Sequence, residues 1–114
     1  MNKKKLETLV NSNQMKAFCQ RWKIQELALF GFALRDDFGP DSDIDLLVSF
    51  DSDADWGLLE HVQMQLELQE LLGRNVDLVN KRALKQSENW IRRDEILQTA
   101  SPVFLKKEVI HGTG

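Results

Sequence analysis

The sequence predicts an α/β (α+β) domain in which helices flank a small mixed β-sheet, and two observations support this class. The chain has 114 residues, which is the size of one domain. Short apolar stretches of strand length alternate with longer stretches whose apolar residues recur every three or four positions. Strands that alternate with helices are typical of layered α/β structures. We therefore treat 1–114 as a single domain with its core at about 25–100 and a flexible C-terminal tail.

The first third of the chain predicts a helix, a strand and a second helix. Apolar residues at helical spacing indicate a helix over 5–22, although the polar residues 11–13 interrupt its stripe. The apolar "LALF" at 27–30 is short and is closed by Gly31, which predicts a buried strand. The following "FALRDDF", 32–38, fits two turns of helix.

The middle of the chain predicts a turn, a strand and the most regular helix. The residues "GPDS" favour a chain reversal, and "DIDLLVSF", 43–50, reads as the next strand. A polar loop leads to a helix over 56–72, for which Gly73 is a suitable C-terminal cap. We expect its core stripe to consist of Leu59, Val62, Leu66, Leu68, Leu71 and Leu72.

The last third predicts a strand, a helix and a short edge strand. "NVDLVN", 75–80, has strand length, and 82–100 is mostly helical with Trp90, Ile91 and Leu97 as expected core residues. Pro102 lies in the final apolar segment, and proline is tolerated only in edge strands.

Composition excludes several functional classes. The net charge is −3, which gives no basic footprint for nucleic-acid binding. Cys19, the single cysteine, excludes an internal disulfide and is expected to be a buried packing thiol. No apolar run approaches the roughly 20 residues of a membrane span, so we expect a cytoplasmic protein without a membrane partner.

Three aspartates stand out because they interrupt apolar strands. Asp43 and Asp45 lie two residues apart and should project from one face of their strand, and Asp77 interrupts the next strand. Neighbouring ionised carboxylates repel each other unless a cation lies between them. Three carboxylates on two adjacent strands could hold the two metal ions of a phosphoryl or nucleotidyl transfer site. A solvated strand end is the competing interpretation, and the pattern alone leaves both open.

Gly31 precedes this pair at a strand-to-helix junction. A helix N-terminus offers free N–H groups that can bind a phosphate. Arg35, one turn further on, could reach a phosphate or the aspartates, or it could form a surface ion pair with Asp36 or Asp37.

The spacing of these residues resembles the nucleotidyltransferases related to DNA polymerase beta. Gly31-Phe32, ten residues and then Asp43-Ile44-Asp45 match the family's Gly-Ser, ten residues and Asp-x-Asp. The segments "PDSDIDLLV" and "LLGRNVDLVN" are similar to the corresponding segments of the minimal nucleotidyltransferases, which are the small stand-alone members of that superfamily. The resemblance covers roughly 25–100.

This resemblance implies a set of functional residues and partners. ATP would be the donor, Mg²⁺ the cofactor, and a HEPN-domain ribonuclease toxin the partner, with no direct nucleic-acid contact. Many such small proteins are antitoxins, and some transfer AMP to a tyrosine of the toxin. The implied catalytic and metal-binding residues are Asp43, Asp45 and Asp77, and the implied nucleotide-binding residues are Gly31, Phe32, Arg35 and Ser42.

The sequence departs from the family at Phe32, where a serine normally helps to bind the donor's phosphates. Three functions therefore stay open. The first is an Mg²⁺-dependent protein adenylyltransferase that acts as an antitoxin. The second is an antitoxin of weakened activity that neutralises its toxin by binding. The third is a nucleotidyltransferase for a small molecule or RNA.

Overall fold

The computed structural model describes residues 12–31 and 43–106, which form a four-stranded sheet with helices on both faces. This confirms the predicted α/β class. The predicted segments at 5–11, 32–38 and 39–42, and the tail 107–114, lie outside the described residues. In chain order the elements are α1 (Asn13–Arg21), β1 (Ile24–Phe30), β2 (Ile44–Phe50), α2 (Leu58–Leu72), β3 (Val76–Asn80), α3 (Lys81–Lys85), α4 (Trp90–Thr99) and β4 (Ser101–Leu105).

The sheet is mixed, with strand order β3-β2-β1-β4. β1 pairs antiparallel with β2 and with β4, whereas β2 and β3 are parallel and are connected through α2. The parallel pair needs such a helical crossover because a tight turn can join only antiparallel strands. β4 is an edge strand, as its proline predicted, so Pro102 does not interrupt an interior ladder.

Helix α1 begins where the sequence appeared to be interrupted. The Ser12 hydroxyl accepts a hydrogen bond from the Met15 N–H at 3.2 Å, which is an N-terminal cap. The polar residues that break the apolar stripe at 11–13 therefore include the cap that starts the described helix.

The two faces of the sheet carry different cores. Alternation within the strands sends Ile44, Leu46 and Val48 to the face covered by α1 and α2. The opposite face has a smaller core, in which Ala28, Phe30 and Leu47 pack with side chains of α3 and α4. The larger core supplies most of the apolar burial, and the smaller one leaves part of its face for polar groups.

The buried face of α2 differs from the predicted stripe. Leu68 and Leu72 are buried as expected, with Met64 beside them, because these residues recur at four-residue steps towards the sheet. Leu59, Val62 and Leu66 were predicted to be core residues, and this prediction was wrong because they form a second apolar stripe that faces away from the sheet. They are 70%, 44% and 56% exposed, and Leu58 beside them is 81% exposed.

Two leucine truncations on α2 test this assignment. Leu68→Ala should lower the free energy of unfolding by about 2–5 kcal/mol, because it leaves a cavity at a fully buried position. Leu66→Ala should change it by no more than about 0.5 kcal/mol, because that side chain is already mostly hydrated. Urea denaturation of both variants measures the difference, and equal losses would contradict the assigned faces.

The single helix predicted over 82–100 is in fact two helices. Asn80 caps α3 by accepting hydrogen bonds from the N–H groups of Arg82 and Ala83, and Asn89 caps α4 by accepting one from Arg92. Asn80 therefore starts a short helix at the beginning of the predicted segment, and Asn89 starts a second helix in its middle. No helix in the described part of the chain is long and apolar enough to cross a membrane.

The prediction that Trp90 and Ile91 are core residues was also wrong. Trp90 and Ile91 occupy the first turn of α4 and are 61% and 62% exposed. Ile96, one to two turns later, is the buried residue of this helix, with Leu97 packed beside it. The first turn of α4 is therefore exposed, and the helix packs against the smaller core only further along.

Cys19 is fully buried in the larger core, as predicted. Burial raises the pKa of its thiol from 9.0 to about 12, because a thiolate would be poorly solvated there. The unfolded thiol ionises near its ordinary pKa and the folded thiol does not. The stability contributed by the neutral thiol is thus complete below pH 9.0 and is lost as the pH rises towards 12.

A pH series of unfolding experiments measures this contribution. Above pH 9.0, the free energy of unfolding should fall more steeply in the wild type than in Cys19→Ala, by up to about 1.4 kcal/mol per pH unit. Comparing the two slopes cancels every contribution that is the same in both proteins. Parallel curves would show that the thiol ionises equally in the folded and unfolded states.

Candidate active site

One row across the sheet brings together residues that are far apart in sequence. Phe30 at the end of β1 is in register with Asp45 of β2, and Asp45 is in register with Asp77 of β3. Neighbouring strands lie about 4.8 Å apart, and residues in register project from the same face. The two aspartates are therefore direct neighbours on the face opposite α1 and α2.

Asp43 lies at the same end of the sheet. It directly precedes β2, and the next residue, Ile44, donates its N–H to the carbonyl oxygen of Asn75 at 2.9 Å. This bond ties together the starts of β2 and β3. Asp43 and Asp77 are exposed and Asp45 is half-buried, so a ligand can reach all three from solvent.

Gly31 directly follows Phe30 and lies against Asp45. Its φ is +66°, a left-handed conformation that favours glycine. A Cβ atom built at Gly31 would collide with Asp45 Oδ2 and would lie 3.3 Å from Asp45 Cγ. A glycine at this position therefore leaves room for the carboxylate that the sequence pattern singled out.

Moving along the strands away from the aspartates, this face of the sheet carries first an apolar row and then an ion pair. The next row contains Ala28, Leu47 and Val79, which pack in the smaller core. Beyond it, Lys81 Nζ and Glu26 Oε1 form an ion pair at 3.1 Å. Asp45 and Asp77, which we call the aspartate row, thus lie at one margin of a packed face, with packed side chains on one side of them and solvent on the other.

The carboxylates offer the oxygen ligands that Mg²⁺ prefers. Asp45 and Asp77 are adjacent, and Asp43 lies at the same margin, so this donor set suits a hard divalent cation that retains waters or phosphate oxygens. Over residues 12–31 and 43–106, no three carboxylate, histidine or cysteine side chains converge closely enough to form a preformed metal cluster. The metal role of the three aspartates stays a prediction.

The other implied nucleotide-binding residues, Phe32, Arg35 and Ser42, lie outside the described residues. Of that group, only Gly31 has a described position, and it is adjacent to Asp45. The phosphate-binding role of all four residues stays a prediction.

A cavity of about 400 Å³ lies at the opposite end of β2 and β3. Phe50 and Trp56 contribute to its lining, together with Asp55 from the loop after β2 and Arg82 and Lys85 from α3. Its lining carries both acidic and basic side chains, and it includes none of the predicted site residues that the structure describes, Gly31, Asp43, Asp45 and Asp77. We therefore place the candidate site at the aspartate margin rather than in this cavity.

Sequence reasoning missed the contacts between α2 and the outer edge of β3. Gln69 Oε1 accepts a hydrogen bond from the Val76 N–H at 3.3 Å, and Gln65 Oε1 accepts one from the Leu78 N–H at 3.2 Å. His61 Nε2 lies 2.8 Å from the Leu78 carbonyl oxygen, to which it must donate. The four-residue spacing of these polar side chains was the available signal.

Comparison with known proteins gives a family match over most of the chain. The model of the family described as "Nucleotidyltransferase domain" matches residues 12–101. The protein adenylyltransferase MntA of Thermococcus cleftensis is 34% identical over 80 residues, which cover 70% of this chain and 78% of the relative.

Two solved structures share the fold at low sequence identity. One is a toxin–antitoxin complex with AMP-PNP, with a TM-score of 0.64 and 20% identity over 85% of this chain and 75% of that one. The other contains a tri-AMPylated HEPN toxin of Shewanella oneidensis with its MNT antitoxin, with a TM-score of 0.57 and 18% identity over 91% and 73% of the two chains. The family match, with the MntA relative, establishes that this chain belongs to the nucleotidyltransferase-domain family.

Proposed function

We propose that the chain is an antitoxin that transfers AMP from ATP to a tyrosine hydroxyl of a HEPN ribonuclease toxin, with Mg²⁺ as cofactor. The observation that carries the proposal is the adjacency of Asp45 and Asp77 at the sheet margin where Gly31 lies against Asp45. The name of the MntA relative supports AMP transfer to a protein, and the fold shared with toxin–antitoxin complexes supports the partner class.

The chemistry is a displacement at the α-phosphorus of ATP. The tyrosine oxygen forms a bond to this phosphorus, the bond to the bridging oxygen breaks, and pyrophosphate leaves with the electron pair. Asp43, Asp45 and Asp77 would hold Mg²⁺, which when bound offsets the charge of the triphosphate and lowers the pKa of the acceptor hydroxyl. Asp77 is exposed and would accept the hydroxyl proton.

Gly31 has two roles in this proposal. Its lack of a side chain leaves the Asp45 carboxylate in place, and its backbone lies where the donor's phosphates would approach the aspartates. Arg35 and Ser42 would add phosphate contacts, as the family resemblance implies. The partner protein would supply the acceptor and the remaining wall of the site.

Phe32 favours a second candidate, an antitoxin that neutralises the toxin by binding alone. The family serine donates a hydrogen bond that phenylalanine lacks, and a hydrogen bond to a charged group contributes about 1.5–3 kcal/mol. This loss corresponds to roughly ten- to a hundredfold in affinity for ATP. The backbone N–H groups of the junction are retained, so we expect weakened rather than abolished nucleotide binding.

The deciding experiment compares the wild type with Phe32→Ser. Calorimetry measures Mg-ATP binding, and ATP labelled at the α-phosphate measures transfer to a HEPN-domain protein that forms a complex with this chain. We expect detectable transfer by the wild type, with tighter binding and faster transfer by Phe32→Ser. If both the wild type and Phe32→Ser form a complex with that protein and neither transfers label, the enzymatic proposal is contradicted and the binding-only antitoxin is favoured.

A further inference from the structure

β3 is an edge strand whose outer backbone groups are bonded by side chains of α2. Gln69 and Gln65 accept hydrogen bonds from the N–H groups of Val76 and Leu78, and His61 donates to the Leu78 carbonyl. An edge strand normally exposes these groups to solvent or to another chain. In the described part of the chain no strand pairs with this edge, and three side chains of one helix bond it instead.

The helix and the strand match in their repeat distances. Gln65 and Gln69 are four residues apart, which corresponds to about 6 Å along a helix. Val76 and Leu78 are two residues apart, which corresponds to about 6.6 Å along a strand. The earlier glutamine binds the later strand residue, so the helix can follow the strand antiparallel and bond every second residue.

The two bonded N–H groups lie on either side of Asp77. On the inner side, β3 pairs in parallel with β2, and Asp77 is in register with Asp45. Its backbone is therefore fixed from both edges, by a strand on one side and by two glutamines on the other. Asp77, whose side chain is exposed, is thus the middle residue of a segment, 76–78, whose backbone is hydrogen-bonded on both edges.

We propose that Gln65 and Gln69 are positioning residues that hold Asp77 at the correct distance from Asp45 for divalent-cation binding. The inference rests on the proposed function, because it assigns a cation to these aspartates. Carboxylates that share a cation must be placed to within about half an ångström. Hydrogen bonds at one edge of a five-residue strand can provide this precision.

The competing explanation is that the glutamines only prevent the edge from pairing with another chain. That role would affect aggregation and amide exchange but would leave the cation affinity unchanged. A test therefore needs a readout of the aspartate pair that does not depend on AMP transfer. Mn²⁺ is a suitable probe because its binding can be followed by electron paramagnetic resonance in the absence of ATP.

The variants are Gln65→Met and Gln69→Met, which keep the size of the side chain and remove the acceptor. Gln63→Met is the matched control, because Gln63 is exposed on the same helix. Gln65→Glu and Gln69→Glu are rescue variants, since a carboxylate oxygen can still accept from the backbone N–H.

We expect faster amide exchange at Leu78 in Gln65→Met and at Val76 in Gln69→Met. Their Mn²⁺ affinity should fall about tenfold, the lower end of the cost of losing an outer-shell partner. The glutamate variants should recover most of that affinity, and Gln63→Met should match the wild type. In an Asp77→Asn background, the glutamine substitutions should have no further effect on Mn²⁺ affinity.

Two results would overturn the proposal. One is faster exchange in the methionine variants with Mn²⁺ affinity equal to that of Gln63→Met, which would leave edge protection as the only role. The other is a wild type that binds no Mn²⁺. If Mn²⁺ binding depends on the glutamines and the wild type transfers no AMP, the positioning role stands and the proposed adenylyltransferase function fails.

Discussion

Replacing Asp45 by asparagine is expected to reduce AMP transfer about a thousandfold. The substitution keeps the shape of the side chain and removes the negative charge that lies directly beside Asp77. Cation stabilisation of charge in the transition state contributes several kcal/mol, and about 4 kcal/mol corresponds to this factor. Transfer of label from α-labelled ATP to the partner toxin measures the loss.

A thermal shift with Mg-ATP provides a second readout for the same variant. The wild type should melt at a higher temperature with Mg-ATP because the ligand binds the folded state, and Asp45→Asn should lose this shift. Asp55→Asn is the control, since that exposed aspartate lies in the loop beyond the opposite end of β2. If Asp45→Asn retained the full shift and normal transfer, the aspartate row would not be the catalytic site.

Replacing Gly31 by alanine is expected to reduce transfer about a hundredfold with only a moderate loss of stability. The new Cβ would collide with the Asp45 carboxylate, which must rotate away from its position beside Asp77. A displacement of about 1 Å at a reacting centre can cost a hundredfold in rate. The flexible carboxylate can move without unpacking the core, so the protein should still fold.

Gly73→Ala separates backbone strain from displacement of the carboxylate. Gly73 has a φ of +68°, close to the +66° of Gly31, and a Cβ at Gly73 meets nothing within 4 Å. Both variants should lose about 1–2 kcal/mol of stability from the left-handed conformation. Only Gly31→Ala should lose transfer activity and Mn²⁺ affinity. Equal activity losses in the two variants would show that strain, rather than the contact with Asp45, is responsible.

The sequence was sufficient to predict the parts of the fold that depend on local pattern. Apolar runs located the four strands, and Gly73 ended α2 as expected. Strand alternation correctly separated the buried Ile44 and Leu46 from the polar Asp45 between them. These predictions succeeded because the strand repeat of two and the conformational preference of glycine act within a few residues.

Features that depend on the arrangement of elements could not be predicted in the same way. α2 has two apolar stripes, and only packing against the sheet decides that Leu68 is buried and Leu66 is exposed. The register of Asp45 with Asp77 depends on pairing between strands that are separated by a helix. The bonds from Gln65 and Gln69 to β3 also required the crossover geometry.

The intact mass of the partner toxin after co-expression with this chain tests the proposed AMP transfer most directly. We expect the toxin to gain one or more AMP groups on tyrosine, and to gain none when it is co-expressed with Asp45→Asn. If the wild-type chain neutralises the toxin and the mass of the toxin stays unchanged, the proposal that this chain transfers AMP to the toxin is contradicted.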